Sequence, residues 1–197
     1  MLKQFFAAFA LCAAMMPAAR ATSVIPLYLE EIVDQSAVAF EGTVTENRSA
    51  RDEEGRPVTY TTFAVSDALK GNPGSTYTIK QLGAETEGGL NYRAYGIPKF
   101  SVGQHVVVFL YGKSSAGFSS PVGLAQGRFA VGTDETGESV SNGRDFRDMA
   151  RNLVSASVLD SQARSTTAPV RKMNLAQFKD LVRNHAKARA MATEGAQ

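Results

Sequence analysis

Few side chains in this 197-residue chain could do chemistry, and their spacing says which chemistry. His105 opens the apolar run "HVVVFLY", and no acidic or cysteine residue stands beside it in sequence. A general base needs an orienting partner, so His105 reads as a strand-end histidine. With His185 as the only other imidazole, neither a His-Glu-x-x-His motif nor a three-histidine zinc set can be built. "GKSS" at 112–115 has the tail of a phosphate loop, but the earlier glycine would fall at Val107, and the segment follows a strand without opening a helix. "GKSSAG" also lacks the five-residue Gly-x-Ser-x-Gly elbow. Glu30-Glu31 and Asp52-Glu53-Glu54 read as solvated faces, because neighbouring carboxylates rarely converge on one substrate. The single cysteine, Cys12, lies in an N-terminal apolar segment, so the rest of the chain has no thiol nucleophile and no cysteine zinc ligand. These patterns imply no catalytic residue, no metal and no cofactor. A hydrolase with an unadvertised carboxylate or serine site remains as an alternative.

One stretch points to recognition. "GGLNYRAYGIPKF" places Tyr92, Arg93, Tyr95 and Lys99 among Gly88, Gly89 and Gly96. Aromatic rings with basic neighbours dominate protein contact surfaces, so these four residues form the candidate interaction surface. The competing explanation is that the tyrosines cover the core, since tyrosine is intermediate in burial.

The elements that must carry these residues begin after residue 21. "MLKQFFAAFALCAAMMPAARATS" has a positive start at Lys3, an apolar stretch from Phe5 to Met16, and Ala19-Arg20-Ala21 as a small-x-small site. That layout predicts a signal peptide cut between Ala21 and Thr22, too short for a permanent span. Leu11 before Cys12 does not fit lipidation. The mature chain is expected to be exported, periplasmic or extracellular, with no stable membrane insertion. Without Lys3 and Arg20 the 21 basic side chains become 19, equal to the 19 acidic ones. Residues 22–143 carry 9 basic against 14 acidic side chains, and 144–197 carry 10 against 5. An acidic body with a basic tail implies that the tail touches something acidic, the body itself included. No dense basic stripe marks a nucleic-acid binder.

"YLEEIVDQ" puts Leu29, Ile32 and Val33 on one helical face. From Ala37 the period changes to two, with Val38, Phe40, Gly42 and Val44 alternating against Ala39, Glu41 and Thr43, a strand with one buried face. "VTYTTFAVSDALKG" is a long strand whose apolar phase shifts between Tyr60 and Phe63, which predicts a bulge or a strong bend there. "TYTIKQLG", "GGLNYRAYG", "HVVVFLY" and "SPVGLAQGRFAVG" read as further strands, and "TDETGES" as a hairpin. Val106 to Leu110 has no polar interruption, so that strand is buried on both faces, one of them under a helix. Phe100 is expected to plug the end of the core. The result is a mainly β fold: a small, closed or nearly closed antiparallel barrel with a short N-terminal helix. The barrel domain covers 22–143, a short helix and Ser/Thr-rich linker 144–173, and an amphipathic helix 174–192. Asn174 caps that helix, and Leu175, Phe178, Leu181, Val182 and His185 form its apolar stripe. The linker composition predicts that everything beyond about Ser155 is dispensable for the barrel.

"VIPLYLEEIVDQSAVAFEGTV", "FAVSDALKG", "GIPKFSVGQHVVVFLY" and "VGLAQGRFAV" occur in that order. This succession resembles a group of uncharacterised exported bacterial proteins over about residues 24 to 132, a resemblance that implies a shared fold and no assigned activity. The strand ending in Leu-Lys-Gly and the later apolar strand more distantly resemble netrin-like oligonucleotide/oligosaccharide-binding (OB) barrels, among them tissue inhibitors of metalloproteases. Those inhibitors use an N-terminal cysteine held by a disulfide, whereas the mature N-terminus here would be Thr22. The resemblance therefore implies an OB-like barrel, and its bacterial side implies a secreted metalloprotease as one possible partner. Two functional expectations stand together: an exported, non-enzymatic module that binds a protein, and an inhibitor or escort of a secreted metalloprotease.

Overall fold

The computed structural model describes residues 24–85, 91–93, 96–135, 137–150 and 168–195. The expected signal peptide, with its predicted Ala21–Thr22 cut, lies outside the described residues, as does most of the linker. The described elements are α1 (Leu29–Gln35), β1 (Val38–Arg51), β2 (Pro57–Lys70), β3 (Thr76–Glu85), β4 (Asn91–Arg93) and β5 (His105–Leu110). They continue with β6 (Arg128–Asp134), β7 (Gly137–Ser141), α2 (Phe146–Met149), β8 (Met173–Asn174) and α3 (Leu175–Glu194). The fold is mainly β, with a short helix before the strands in the chain and a long helix after them. No described helix is long and apolar enough to cross a membrane.

Among the described residues the eight strands form one antiparallel sheet in the order β4-β3-β2-β1-β5-β6-β7-β8. No continuous ladder closes it. A strap after β5 instead bridges the gap at single points, Phe118 beside Lys80 of β3 and Pro121 beside Leu110 of β5. The Ser119 N–H donates to the Lys80 carbonyl at 3.1 Å.

Two cores lie on opposite faces of this sheet. Phe40, Val44, Phe63, Ile79, Val106, Val108 and Leu110 pack on the concave side, and Phe100 closes that cluster with its ring 5.1 Å from Phe63. Ala39, Val107, Phe109 and Phe129 pack on the other side beneath α1, α2 and α3. The apolar run of β5 thus divides its residues between both cores, as its sequence requires. β1 was expected to bury one face only. It buries both from Ala39 to Gly42, because α3 covers the face that carries Ala39 and Glu41. Gly42 is needed there: a Cβ would stand 2.6 Å from the Ala64 carbonyl of the neighbouring strand.

Toward β3, Tyr60 to Phe63 pair in unbroken register with Lys80 to Tyr77. Toward β1 the ladder does shift within the predicted span, since Phe63 pairs with Val44 and Thr62 with Glu46, and the extra residue, Thr45, stands on β1 and not on β2. The change of phase along β2 itself has a further cause. Thr61 faces inward and is buried, with its hydroxyl donating to Asn47 Oδ1 at 2.7 Å, while Tyr60 stacks outward under Arg48. The other register shifts on the β1–β2 ladder fall between Ala39 and Phe40 and between Glu41 and Gly42.

The C-terminal helix is part of the core. Asn174 caps it by accepting from the N–H groups of Ala176 and Gln177. Phe178 is fully buried, with ring centroids 4.8 Å from Phe129 and 6.2 Å from Phe109. Leu175 and Val182 join the same cluster. A polar linker says nothing about how firmly the element after it docks, and that corrects the expectation that the chain beyond Ser155 is dispensable.

Candidate functional site

Three clusters of charged side chains arise where elements cross. Glu41 of β1 and Asp67 of β2 stand directly opposite one another in the ladder. Like charges in that position repel. Lys179 of α3 lies between them, with Nζ 2.6 Å from Glu41 Oε2 and 2.9 Å from Asp67 Oδ2. Arg183, one helical turn on, pairs with Asp67 as well. His105 completes the group, Nε2 to Glu41 Oε1 at 2.9 Å. Burial works to raise both carboxyls, but hydrogen bonds and charge from Lys179, His105 and Arg183 outweigh it and hold both below the ordinary range. Burial likewise opposes the Lys179 charge, and the two carboxylates win, raising its affinity for the proton.

At the far end of α3, His185 Nε2 meets Asp34 Oδ1 at 2.8 Å, and Arg189 Nε meets Oδ2 at 3.2 Å. The basic tail therefore does touch the acidic body. Three of the four lysine and arginine side chains of α3, Lys179, Arg183 and Arg189, each find a carboxylate on β1, β2 or α1.

Asp52, expected on a solvated face, has a side chain only 2% exposed. It sits in the β1–β2 turn, bonded by Arg56 Nε at 2.9 Å and by Lys80 Nζ at 3.0 Å, and it accepts the N–H groups of Glu54 and Arg56. The Arg56 hydrogen bond is the largest cause that holds Asp52 far below the usual carboxylate range. Sequence neighbours alone gave no sign that Lys80, on another strand, would reach it.

The segment "GLAQG" is explained by mooring. Gln126 Oε1 accepts the Leu27 N–H at 2.9 Å, Gln126 Nε2 donates to the Ile25 carbonyl at 3.0 Å, and Arg144 donates to both Leu27 O and Gln126 Oε1. Gly127 admits no side chain, since a Cβ would lie 2.8 Å from Val122 backbone atoms and 3.0 Å from the Phe109 carbonyl.

The predicted interaction surface is placed only in part. Tyr92 and Arg93 fall in β4, paired with Ala84 and Gly83 of β3. Their side chains and the whole of Tyr95 lie outside the described residues. Lys99 is exposed, and its carbonyl accepts from Arg128 Nη1 at 2.9 Å. Beside this loop a cleft of about 360 Å³ opens between β3 and the strap, lined by Gln81, Leu82, Ile97, Tyr111 and Phe118 among others.

Chemically, these clusters hold elements together. Both described histidines face carboxylates that a lysine or arginine also holds. Among the described residues, no three His, Cys, Asp or Glu side chains are grouped to hold a metal ion. No family model matches this sequence, and neither the curated proteins nor the solved structures hold a match to it.

Proposed function

We propose that this chain is an exported binding module that recognises a protein, and that it is not an enzyme. One observation carries the reading. The imidazoles and carboxylates that could do chemistry are engaged in tying α3 and the β1–β2 turn to the sheet, whereas the rim of β3 offers an open cleft next to the Tyr92–Lys99 loop. The strand order β3-β2-β1-β5, with the strap bridging from β5 back to β3, supports an OB-like barrel. Such barrels bind through loops and one sheet face, an argument by analogy.

The test is capture. The mature chain, immobilised, is exposed to the secreted fraction of its own source. The double variant Tyr92→Ala/Tyr95→Ala should keep its circular dichroism and melting temperature and lose the retained protein. A metalloprotease among the retained proteins would select the inhibitor or escort reading. Hydrolytic turnover by the purified chain, abolished by one polar substitution, would overturn the binding reading.

A further inference from the structure

Resting on the binding reading, we infer that Leu124 is a positioning residue for the candidate interaction surface, holding residues 96–99 in place for a protein partner from a backbone that is itself strained. The mooring role of "GLAQG" leaves this leucine unexplained. Among the described residues, Leu124 alone has a left-handed backbone, φ +62°, without being glycine. A bulky side chain is disfavoured in that conformation, whereas glycine adopts it readily. Strain of this kind persists where the surroundings over-determine it, and it collects at sites of function.

The surroundings do over-determine this turn. The Gly127 N–H donates to the Val122 carbonyl at 2.8 Å, and the N–H of Gly123, left-handed as well, donates to the Tyr111 hydroxyl at 3.3 Å. The N-terminal segment ties the turn from outside, through the bonds of Gln126 to Ile25 and Leu27. With residues on both sides of it fixed, Leu124 is kept in its strained state.

Its side chain meets the loop. A Cβ on Gly96 would stand 2.8 Å from Leu124 Cδ1, with Cγ and Cδ2 at 3.7 and 3.8 Å. The isobutyl group therefore covers the Gly96 α-carbon, an approach open only because position 96 carries no side chain. Farther along, Arg128 Nη1 donates to the Lys99 carbonyl at 2.9 Å and Asn47 Nδ2 to the Phe100 carbonyl at 2.7 Å. Hydrogen bonds thus hold the end of the loop, and Leu124 holds its start by packing. A loop ordered beforehand loses less conformational freedom when a partner binds. Glycine at 124 would ease the backbone and leave Gly96 uncovered, which accounts for the leucine.

The measurement is backbone order in the isotope-labelled mature chain, read by NMR relaxation at Gly96, Ile97 and Lys99. In wild type these amides should be rigid, with order parameters of about 0.85, and in Leu124→Gly they should fall below about 0.6. The melting temperature of Leu124→Gly should stay close to wild type, because the relieved backbone offsets the lost contact. Leu124→Ala keeps the strain and loses the contact, so it should melt below Leu124→Gly. Leu124→Met should keep the loop rigid. Retention of protein from the secreted fraction should weaken about tenfold in Leu124→Gly. A loop already loose in wild type, or unchanged order in Leu124→Gly, would overturn the inference, as would a loosened loop with undiminished capture. Should Leu124→Gly fail to fold, Gly96→Ala replaces it, and Leu124 methyl resonances that do not move in Gly96→Ala are equally decisive against. Intact capture with an unchanged loop in Leu124→Gly removes the positioning role and leaves the binding reading standing. A wild-type chain that retains no protein overturns the binding reading, and loss of order in Leu124→Gly would still establish Leu124 as the holder of the loop.

Discussion

Glu41 and Asp67 share one ammonium across a β-ladder, which makes the stability of their region sensitive to acid. Both carboxyls lie below their ordinary values in the folded chain. Their contribution is therefore complete above the unfolded value of about 4 and is lost as pH falls through the depressed folded values. Denaturant unfolding should show a steep loss of stability below about pH 4 in wild type and a shallower one in Glu41→Gln/Asp67→Asn. Equal slopes would mean that the pair is screened. Lys179→Met leaves the two carboxylates facing each other and should cost about 1–3 kcal/mol near neutral pH, measured the same way. That is less than a fully buried pair would lose, because the Lys179 side chain is 19% exposed. In the adjacent core, Val107→Asp buries an unpaired charge at a fully buried position and should lower stability by several kcal/mol (thermal unfolding reads it). The strand-end place of His105 was legible from its sequence. Its partner was not, because Glu41 is 64 residues away and only the β1–β5 register brings them together.

At the scale of elements, α3 behaves as a second layer and not as a tail. Phe178→Ala opens a cavity among Phe109, Phe129 and Phe146, and should cost about 3–5 kcal/mol by denaturant unfolding. Removal of α3 should expose the face carrying Val107 and Phe109, seen as dye binding and aggregation; a truncated chain that melts like wild type would place the helix outside the core. The existence of most strands followed from period and turn residues, and α1 and α3 followed from their stripes and caps. What stayed hidden were pairings at a distance. The inward Thr61 broke the apolar alternation of β2, since a polar side chain satisfied by Asn47 cannot be told from an outward one by type, and the extra residue opposite Thr62 and Phe63 lies on β1, where no break in period marked it. Gln81 gave no signal at all within "TYTIKQLG", where one amide in an alternating strand is ordinary.

For the whole molecule, the charge imbalance between the two parts of the sequence was the most informative global feature, and the structure resolves it as self-contact through Lys179, Arg183 and Arg189. The strap that reaches back from β5 to β3 was invisible beforehand, because closure of a sheet depends on the stagger of every ladder in it. Export is tested directly: sequencing of the protein recovered outside the cytoplasm should begin at Thr22, and a retained Met1 would remove the signal-peptide assignment.

The clasp between Lys179 and Glu41 joins residues 138 apart in the chain. It therefore also sets a schedule. β1 is synthesised well before the helix that covers its outer face, and at about 5–20 residues per second the interval is on the order of ten seconds. Through that time the β1–β5 face has no cover, and closing so long a loop is slow even after synthesis ends. A nascent chain of this design stays loose until α3 arrives, which gives holdases a defined window in which to engage it.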